Sequence, residues 1–238
     1  MTKKARRPVK CSTMIFDFDG TIANTFDLAV SVLNRLSYKY NFNRINASEI
    51  ETVKSKSATQ LISDLGISKS MVPIIVSSAR REMNRQIEKI TPIDGVKNLV
   101  IALQSRGFNL GILTSNSSKN VKAFLAANQM NYFSFIQAYS SLWGKNIQLR
   151  RLIKRFQLPR RDVLYIGDEM RDIDAARKSG VAIAAVTWGY NSKSVILQHQ
   201  PDFILSVPNE MLEIVEKNEK EWGDDKNQGI RNGKPSQI

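Results

Sequence analysis

The 238-residue chain has little of what secreted and membrane proteins need. It contains one cysteine, Cys11, which cannot form an internal disulfide, and one histidine, His199, in a polar stretch far from any motif. No apolar run approaches the roughly 18 residues of a membrane-spanning helix, and the N-terminus lacks the apolar stretch of a secretory signal. We therefore expect no membrane segment and a reducing, cytoplasmic location.

Positive charge, in contrast, is abundant, and the formal net charge of +13 is typical of proteins that bind nucleic acid or other polyanions. Five of these charges lie in an acid-free N-terminal stretch: Lys3, Lys4, Arg6, Arg7 and Lys10. A second basic cluster at 150–155 alternates with apolar residues at the spacing of an amphipathic helix. We interpret this cluster as a solvated helix face, with nucleic acid binding as the alternative.

Short apolar runs alternate with amphipathic helical patterns along most of the chain. The apolar runs lie at 13–18, 110–113, 163–166, 181–186 and 203–205. The helical patterns lie near 95–106, 117–128, 146–157 and 170–179. This alternation is typical of an α/β fold with a doubly wound parallel sheet. Ligands of such sheets bind outside the carboxyl ends of the strands, so polar motifs at strand ends are candidates for function.

A helical segment interrupts this alternation between the first two strands. Residues 25–90 contain helical patterns and no strand-like run, and this length is too great for one crossover connection. We predict that the segment forms a small helical cap domain inserted into the α/β core. The predicted core then comprises 13–24 and 91–222, between a basic tail at 1–12 and a polar, disordered tail at 223–238.

The first polar motif is DFDGT at 17–21, directly after the first predicted strand. Its two carboxylates, Asp17 and Asp19, are two residues apart and can converge on one cation where the chain leaves the sheet. Burying paired acids is costly without such a cation or without basic partners. Because Asp-Gly is also a common turn pair, a surface turn is the alternative for this motif alone.

Two further elements combine a predicted strand end or loop with the start of a helix. Thr114, Ser115 and Asn116 follow the run at 110–113, and a hydroxyl with exposed backbone N–H groups at a helix start can bind an anion. A simple helix N-cap is the alternative. Lys145 also precedes a helical pattern, where its charge could neutralise a phosphoryl oxygen or simply be solvated.

The fourth motif is GDEMRD at 167–172, again at the end of a predicted strand. Asp168 and Asp172 are four residues apart, so both can face the same side of the first helical turn. They would lie close to the first motif if the two strands are neighbours. The alternative is that these acids are favoured only by the helix dipole.

Taken in order, the four motifs resemble the signature motifs of the haloacid dehalogenase superfamily. The resemblance spans about residues 13–205. The helical segment resembles the cap of the phosphoglycolate phosphatase and phosphoglucomutase branches. PIDGV at 92–96 resembles the return from that cap into the core. The resemblance implies a Rossmann-like core with an inserted helical cap.

For the catalytic groups, the resemblance implies that Asp17 is the nucleophile and Asp19 the general acid and base. It further implies Mg²⁺ held by Asp17, the backbone carbonyl of Asp19, and Asp168, with Glu169 or Asp172 supporting the metal waters. A carboxylate nucleophile splits hydrolysis into two easier steps through an aspartyl-phosphate. Family members that cleave carbon–halogen bonds lack an acid two residues after the nucleophile, so Asp19 distinguishes this chain from them.

For substrate binding, the resemblance implies that Thr114 and Lys145 bind the transferring phosphoryl group, together with the donors around Ser115. The segment 54–57 resembles the cap loop that faces the active site in this branch. We predict that Lys56 in this loop binds the carboxylate of a phosphoglycolate-like substrate. The alternative is that Lys56 only solvates the cap.

These residues together predict a Mg²⁺-dependent phosphatase that acts on a small phosphorylated metabolite similar to phosphoglycolate. A sugar phosphomutase is one alternative, because it would use the same core and a similar cap. A non-catalytic protein that keeps the fold and binds nucleic acid through its basic surface is another. The intact acid pair and cation site count against that last alternative. The sequence specifies no oligomeric state.

Overall fold

The fold is known from a computed structural model that describes residues 11–139 and 144–217. The predictions for most of the tail at 1–12 and for the whole tail at 223–238 lie outside the described residues. No helix among the described residues is long and apolar enough to cross a membrane.

A six-stranded parallel sheet forms the centre of the molecule, with strand order β3-β2-β1-β4-β5-β6. The strands are β1 (Thr13–Phe16), β2 (Asn109–Thr114), β3 (Phe135–Ala138), β4 (Val163–Gly167), β5 (Ala182–Val186) and β6 (Phe203–Leu205). The chain starts in the middle of the sheet, and β1 lies between β2 and β4. The predicted α/β class with a doubly wound parallel sheet is confirmed.

Helices surround this sheet and also form a separate group between β1 and β2. In chain order they are α1 (Phe26–Tyr40), α2 (Ile50–Lys54), α3 (Ala58–Asp64), α4 (Val72–Asn84), α5 (Val96–Ser105), α6 (Ser118–Ala127), α7 (Lys145–Arg155), α8 (Met170–Ser179) and α9 (Lys193–Gln198). Residues 210–217 are also helical.

The sheet is buried on both faces because side chains alternate along each strand. In β1, Met14 and Phe16 belong to one apolar cluster, which α5, α6 and the helical residues 210–217 cover. Ile15 points to the opposite cluster, which α7, α8 and α9 cover. Continuous apolar runs such as that of β1 are therefore explained by burial on two sides.

The helical segment that we call the cap comprises α1 to α4. Two stretches connect it to the core, and they lie side by side: Ala23 forms an antiparallel bridge with Pro92, and the Asn24 amide donates to the Thr91 carbonyl over 3.0 Å. Within the cap, α1 and α4 pack together around a small apolar cluster. Ser57 caps α3 and its side chain accepts from the Gln60 amide, as expected for a helix start.

Three elements were not predicted from the sequence: β3, α9 and the helical residues 210–217. Strand β3 is an edge strand, and each of its four residues is only partly buried, so it lacks the fully apolar pattern of the central strands. Gly111 in β2 allows the Phe135 ring of this strand to approach, because a Cβ at Gly111 would collide with it. Helix α9 is short, and its apolar residues are too few to give a helical period.

Candidate active site

The predicted motifs lie at the carboxyl edge of the central strands. Asp17 follows β1, Thr114 ends β2, and Asp168 follows β4. Since β1 pairs with both β2 and β4, these strand ends are adjacent. Lys145 is the first residue of α7 and reaches the same edge. The structure thus brings together residues that are up to about 150 positions apart in the sequence.

Asp17 is buried at the centre of this edge. Its Oδ1 accepts from the Phe18 amide over 2.8 Å, and its Oδ2 accepts from Lys145 Nζ over 2.5 Å. Burial disfavours the charged carboxylate and raises its pKa to about 7, although Lys145 acts in the opposite direction. The carboxylate is therefore held in one orientation and depends on its basic neighbour for charge compensation.

Lys145 is the basic group that compensates the buried acids. Its ammonium group pairs with Asp17 and also with Asp172, and its side chain is only 4% exposed. Burial alone would lower the pKa of Lys145, but the two carboxylates raise it well above its usual value. Lys145 is thus a fixed cation between two acids, which is the arrangement needed to stabilise negative charge at this edge.

Asp172 is held by the start of α8. Its Oδ2 accepts from the Glu169 amide over 3.0 Å, within a capping box at this helix N-terminus. Gly167 permits this arrangement, because a Cβ there would collide with the Asp172 carboxylate. Asp172 therefore has two roles in the structure: it caps the N-terminus of α8, and it orients Lys145.

Asp19 is partly buried and faces the space beneath the cap. The Asn116 Nδ2 lies 3.3 and 3.4 Å from its two carboxylate oxygens. Burial raises the pKa of Asp19, while the contacts with Asn116 and Thr25 lower it. A carboxyl group with a raised pKa near a substrate space is suited to donate and accept a proton.

Thr114 and Ser115 lie beside this acid. Thr114 is fully buried, and its Oγ1 accepts from the Asn116 amide over 2.9 Å. Ser115 and Asn116 line the space beneath the cap. The next residue, Ser117, is the N-cap of α6. The helix N-cap therefore lies one residue after the second motif, and Ser115 and Asn116 of the motif itself face the site.

Asp168 is fully buried and accepts two short hydrogen bonds. Thr21 Oγ1 donates to its Oδ1 over 2.6 Å, and the Tyr190 amide donates to its Oδ2 over 2.7 Å. Burial raises its pKa well above the usual value. The turn at Gly20 has a φ of +79° and approaches Asp168 so closely that a Cβ would collide with the carboxylate. The first and fourth motifs are therefore locked together.

The acidic groups of this edge fit a hard divalent cation. Carboxylate oxygens of Asp17, Glu169 and Asp172 all lie within 4.8 Å of one another. Asp168, a predicted ligand, lies outside this group, and its two oxygens accept from Thr21 and Tyr190. Oxygen donors of this kind suit Mg²⁺. Glu169, which we predicted as a possible support for the metal waters, is held by Arg171, whose Nε lies 2.8 Å from Glu169 Oε1.

Sequence reasoning missed a loop after β5 that contributes two residues. The Tyr190 amide holds Asp168, and Asn191 connects the fourth motif to the cap. The Asn191 Oδ1 accepts from the Met170 amide over 2.8 Å, while its Nδ2 donates to the Lys54 carbonyl over 3.0 Å. This loop also follows the end of a predicted parallel strand, and that position could have indicated that it contributes to the site.

Lys56 lies in the cap loop at 54–57, as predicted. It lines a cavity of about 280 Å³ between the cap and the core, which we call the cap cavity and which Asp19 also lines. However, Lys56 Nζ lies 2.6 Å from Asp64 Oδ2, so its charge already has a partner within the cap. The predicted role of Lys56 in substrate binding stays a prediction.

Comparison with known proteins identifies the family. A family model described as haloacid dehalogenase-like hydrolase matches residues 14–186. The chain is 30% identical over 203 residues to a phosphoglycolate phosphatase from Synechococcus elongatus, a match that covers 85% of this chain and 96% of that relative. The chain belongs to the haloacid dehalogenase-like hydrolases. The family resemblance and the enzyme class predicted from the motifs are thereby confirmed.

The chain is also similar to more distant relatives. A Bacillus cereus protein named pyrophosphatase PpaX is 24% identical, over 87% of this chain and 97% of its own length. Among solved structures, a predicted phosphatase from Clostridium acetobutylicum has a TM-score of 0.76 at 19% identity, covering 87% of this chain and 99% of that one. A predicted phosphoglycolate phosphatase from Haemophilus somnus has a TM-score of 0.72 at 22% identity, covering 87% and 98%. These structural matches support the fold.

Proposed function

We propose that this hydrolase is a Mg²⁺-dependent phosphatase that removes the phosphoryl group from a small organic monoester through an aspartyl-phosphate. The observation that carries the proposal is the arrangement around Asp17. This carboxylate is buried, oriented by the Phe18 amide and paired with Lys145, while Asp19 lies beside it facing the cap cavity. A fixed nucleophile, a fixed cation and a proton donor are the groups that such a reaction requires.

The proposed reaction has two steps. In the first, an Asp17 carboxylate oxygen bonds to phosphorus, the bond to the leaving oxygen breaks, and Asp19 gives that oxygen a proton. In the second, a water molecule attacks phosphorus, Asp19 takes its proton, and the bond to Asp17 breaks to release inorganic phosphate. Lys145, Thr114 and the N–H groups around Ser115 stabilise the charge on the phosphoryl oxygens in both steps.

Mg²⁺ would be held by Asp17, the backbone carbonyl of Asp19, and Asp168, and Glu169 or Asp172, whose carboxylates lie near that of Asp17, would support its waters. When bound, the ion would neutralise charge on the transferring phosphoryl group. The residues of the chain supply the proton transfers and the orientation of the reacting groups. Asp168 is fixed by Thr21 and Tyr190, so a ligand there is already oriented.

The relatives supply the first substrates to test. The Synechococcus relative is named for phosphoglycolate, and the Bacillus relatives are named for pyrophosphate. Phosphoglycolate is therefore the reference monoester, and pyrophosphate is the second candidate. A sugar phosphomutase would differ in retaining a bisphosphate intermediate.

The direct test is phosphate release by the purified protein from a panel of monoesters, pyrophosphate and hexose phosphates, with Mg²⁺ and with excess EDTA. We expect release from monoesters with Mg²⁺, none with EDTA, and recovery when Mg²⁺ is restored. Interconversion of hexose phosphates without release would favour the phosphomutase. Full activity in excess EDTA would contradict the metal assignment.

A further inference from the structure

The cap cavity has two chemically different ends. On the core side it is lined by polar groups of the active site, including Asp19, Ser115 and Asn116. On the cap side it is lined by apolar side chains of α3 and α4, among them Leu61, Ile75, Val76 and Met83. One cavity therefore leads from the catalytic acid into the apolar interior of the cap.

The apolar end is lined in part by side chains that are incompletely packed. Leu61, Val76 and Met83 are only partly buried, although they pack against the apolar cluster of the cap. An empty apolar cavity costs stability because its lining lacks packing partners. A ligand with an apolar body would recover those contacts, whereas a carboxylate placed against these side chains would lose its hydration without a compensating partner.

The basic side chains that line the cavity are already engaged. Lys56 pairs with Asp64, and Arg171 pairs with Glu169. Arg80, the third, also interacts within the structure. A second anionic group that paired with Lys56 or Arg171 would have to displace an existing ion pair, whereas an apolar group would displace neither.

We propose that the preferred substrate carries an apolar body, such as an alkyl or aryl group, on the oxygen that leaves the phosphate. This inference rests on the proposed phosphatase function and specifies its substrate class. The phosphate would lie at the polar end, next to Asp19, and the apolar body would extend between α3 and α4. The volume of about 280 Å³ is near the lower limit for small-molecule pockets and limits the length of that body.

The test is a homologous series of ethyl, butyl and hexyl phosphate, with phosphoglycolate as the polar comparison, measured by phosphate release with Mg²⁺. We expect kcat/KM to rise by about fourfold per added methylene until the cavity is full, the factor that corresponds to burial of one CH₂. A flat series, or a tenfold preference for phosphoglycolate over butyl phosphate, would overturn the proposal and leave the phosphatase function intact.

Binding of the corresponding alkyl phosphonates, measured by calorimetry, makes the test independent of turnover because phosphonates are not hydrolysed. Affinity should rise with chain length in the same way. If no monoester is hydrolysed but this trend is found, the proposed function fails and the apolar site stands. If affinity is independent of chain length, the apolar site fails whatever the activity.

Variants in α4 locate the site. Ala79 lines the cavity, and Ala79→Leu should abolish the dependence on chain length by filling the space, with little effect on ethyl phosphate. Ser77 is exposed on the same helix, so Ser77→Leu is the matched control and should keep the full dependence. Met83→Ala enlarges the cavity and should shift the optimum to a longer chain, which covers the case of a poorly folded Ala79→Leu. An unchanged optimum in both cavity variants would place the apolar group elsewhere and contradict the proposal.

Discussion

The carboxyl edge of the sheet and the cap differ in how completely their side chains are fixed. At the sheet edge, Asp17, Asp168 and Lys145 are buried, and each has at least two polar partners. In the cap, several side chains that face the cavity are only partly buried and make mainly apolar contacts. The difference separates two tasks, since chemistry requires fixed groups, whereas substrate selection requires a shaped space.

The largest effect expected on the sheet edge is that of Asp17→Asn. We expect it to lower phosphate release by roughly a thousandfold or more, the scale for loss of a nucleophile, because an amide does not attack phosphorus. Its volume is nearly unchanged and Lys145 keeps its ion pair with Asp172, so the thermal unfolding temperature should stay near that of the parent. Asp27→Asn, an exposed change on α1, is the control and should be fully active. Substantial residual release by a contamination-free variant, with no aspartyl-phosphate trapped in the parent, would contradict the nucleophile assignment.

The next effect tests whether the sheet edge is held together by its central cation. Lys145→Met leaves Asp17 and Asp172 buried without their shared partner, and we expect the free energy of unfolding to fall by about 3 to 5 kcal/mol. Lys154→Met, exposed on the same helix, should change it by less than about 0.5 kcal/mol. Urea unfolding in metal-free buffer measures both variants.

The pH dependence of that loss has a definite sign. The pKa of Asp17 is already raised to about 7 by burial, and removal of Lys145 raises it further. The unpaired acid then binds a proton in the folded state, which relieves the buried charge at low pH. The destabilisation of Lys145→Met relative to the parent should therefore be larger at pH 8 than at pH 6. An equal loss at both values would show that Asp17 does not carry the effect.

The sheet edge could be predicted from the sequence because three of the four motifs lie at the end of a strand that has a short apolar pattern. Asp17 and Asp168 follow apolar runs, and parallel strands bring such positions to one edge. The residues around the cap were harder to find. Asn191 contacts Lys54 across 137 positions of the chain, and no local pattern encodes that pairing. The cap cavity results from volume that the cap side chains leave unfilled, which composition and periodicity do not report.

A smaller effect tests the connection between the two regions. Asn191→Ala removes the hydrogen bonds to the Lys54 carbonyl and the Met170 amide. Because the partner groups are left without these bonds, we expect the free energy of unfolding to fall by about 1 to 3 kcal/mol. Amide exchange in segment 54–57 should accelerate, and kcat/KM should fall for every substrate alike. Ser194→Ala, an exposed change in α9, should alter neither quantity. Unchanged exchange in Asn191→Ala would show that the cap loop is held by other contacts.

The smallest effect expected is that of Lys56→Ala, which tests whether the cap binds a second anion. Lys56 lies in the predicted loop and lines the cap cavity, but its ammonium group is already paired with Asp64. Binding a substrate carboxylate would exchange one ion pair for another, so little net free energy is available. We therefore expect kcat/KM to fall by less than about threefold for phosphoglycolate and for butyl phosphate, the scale of an exposed ion pair.

Lys69→Ala removes one positive charge at an exposed position of the same cap, so it is the control for the loss of charge in Lys56→Ala. A selective loss on phosphoglycolate of about 1 to 3 kcal/mol, the usual value of a charge-assisted contact, would establish Lys56 as the group that reads the substrate carboxylate. It would also contradict the inference of an apolar leaving group, because the substrate carboxylate and the apolar body would occupy the same part of the cap cavity. An equal, larger loss on both substrates would instead indicate that the Lys56–Asp64 pair maintains the fold of the cap.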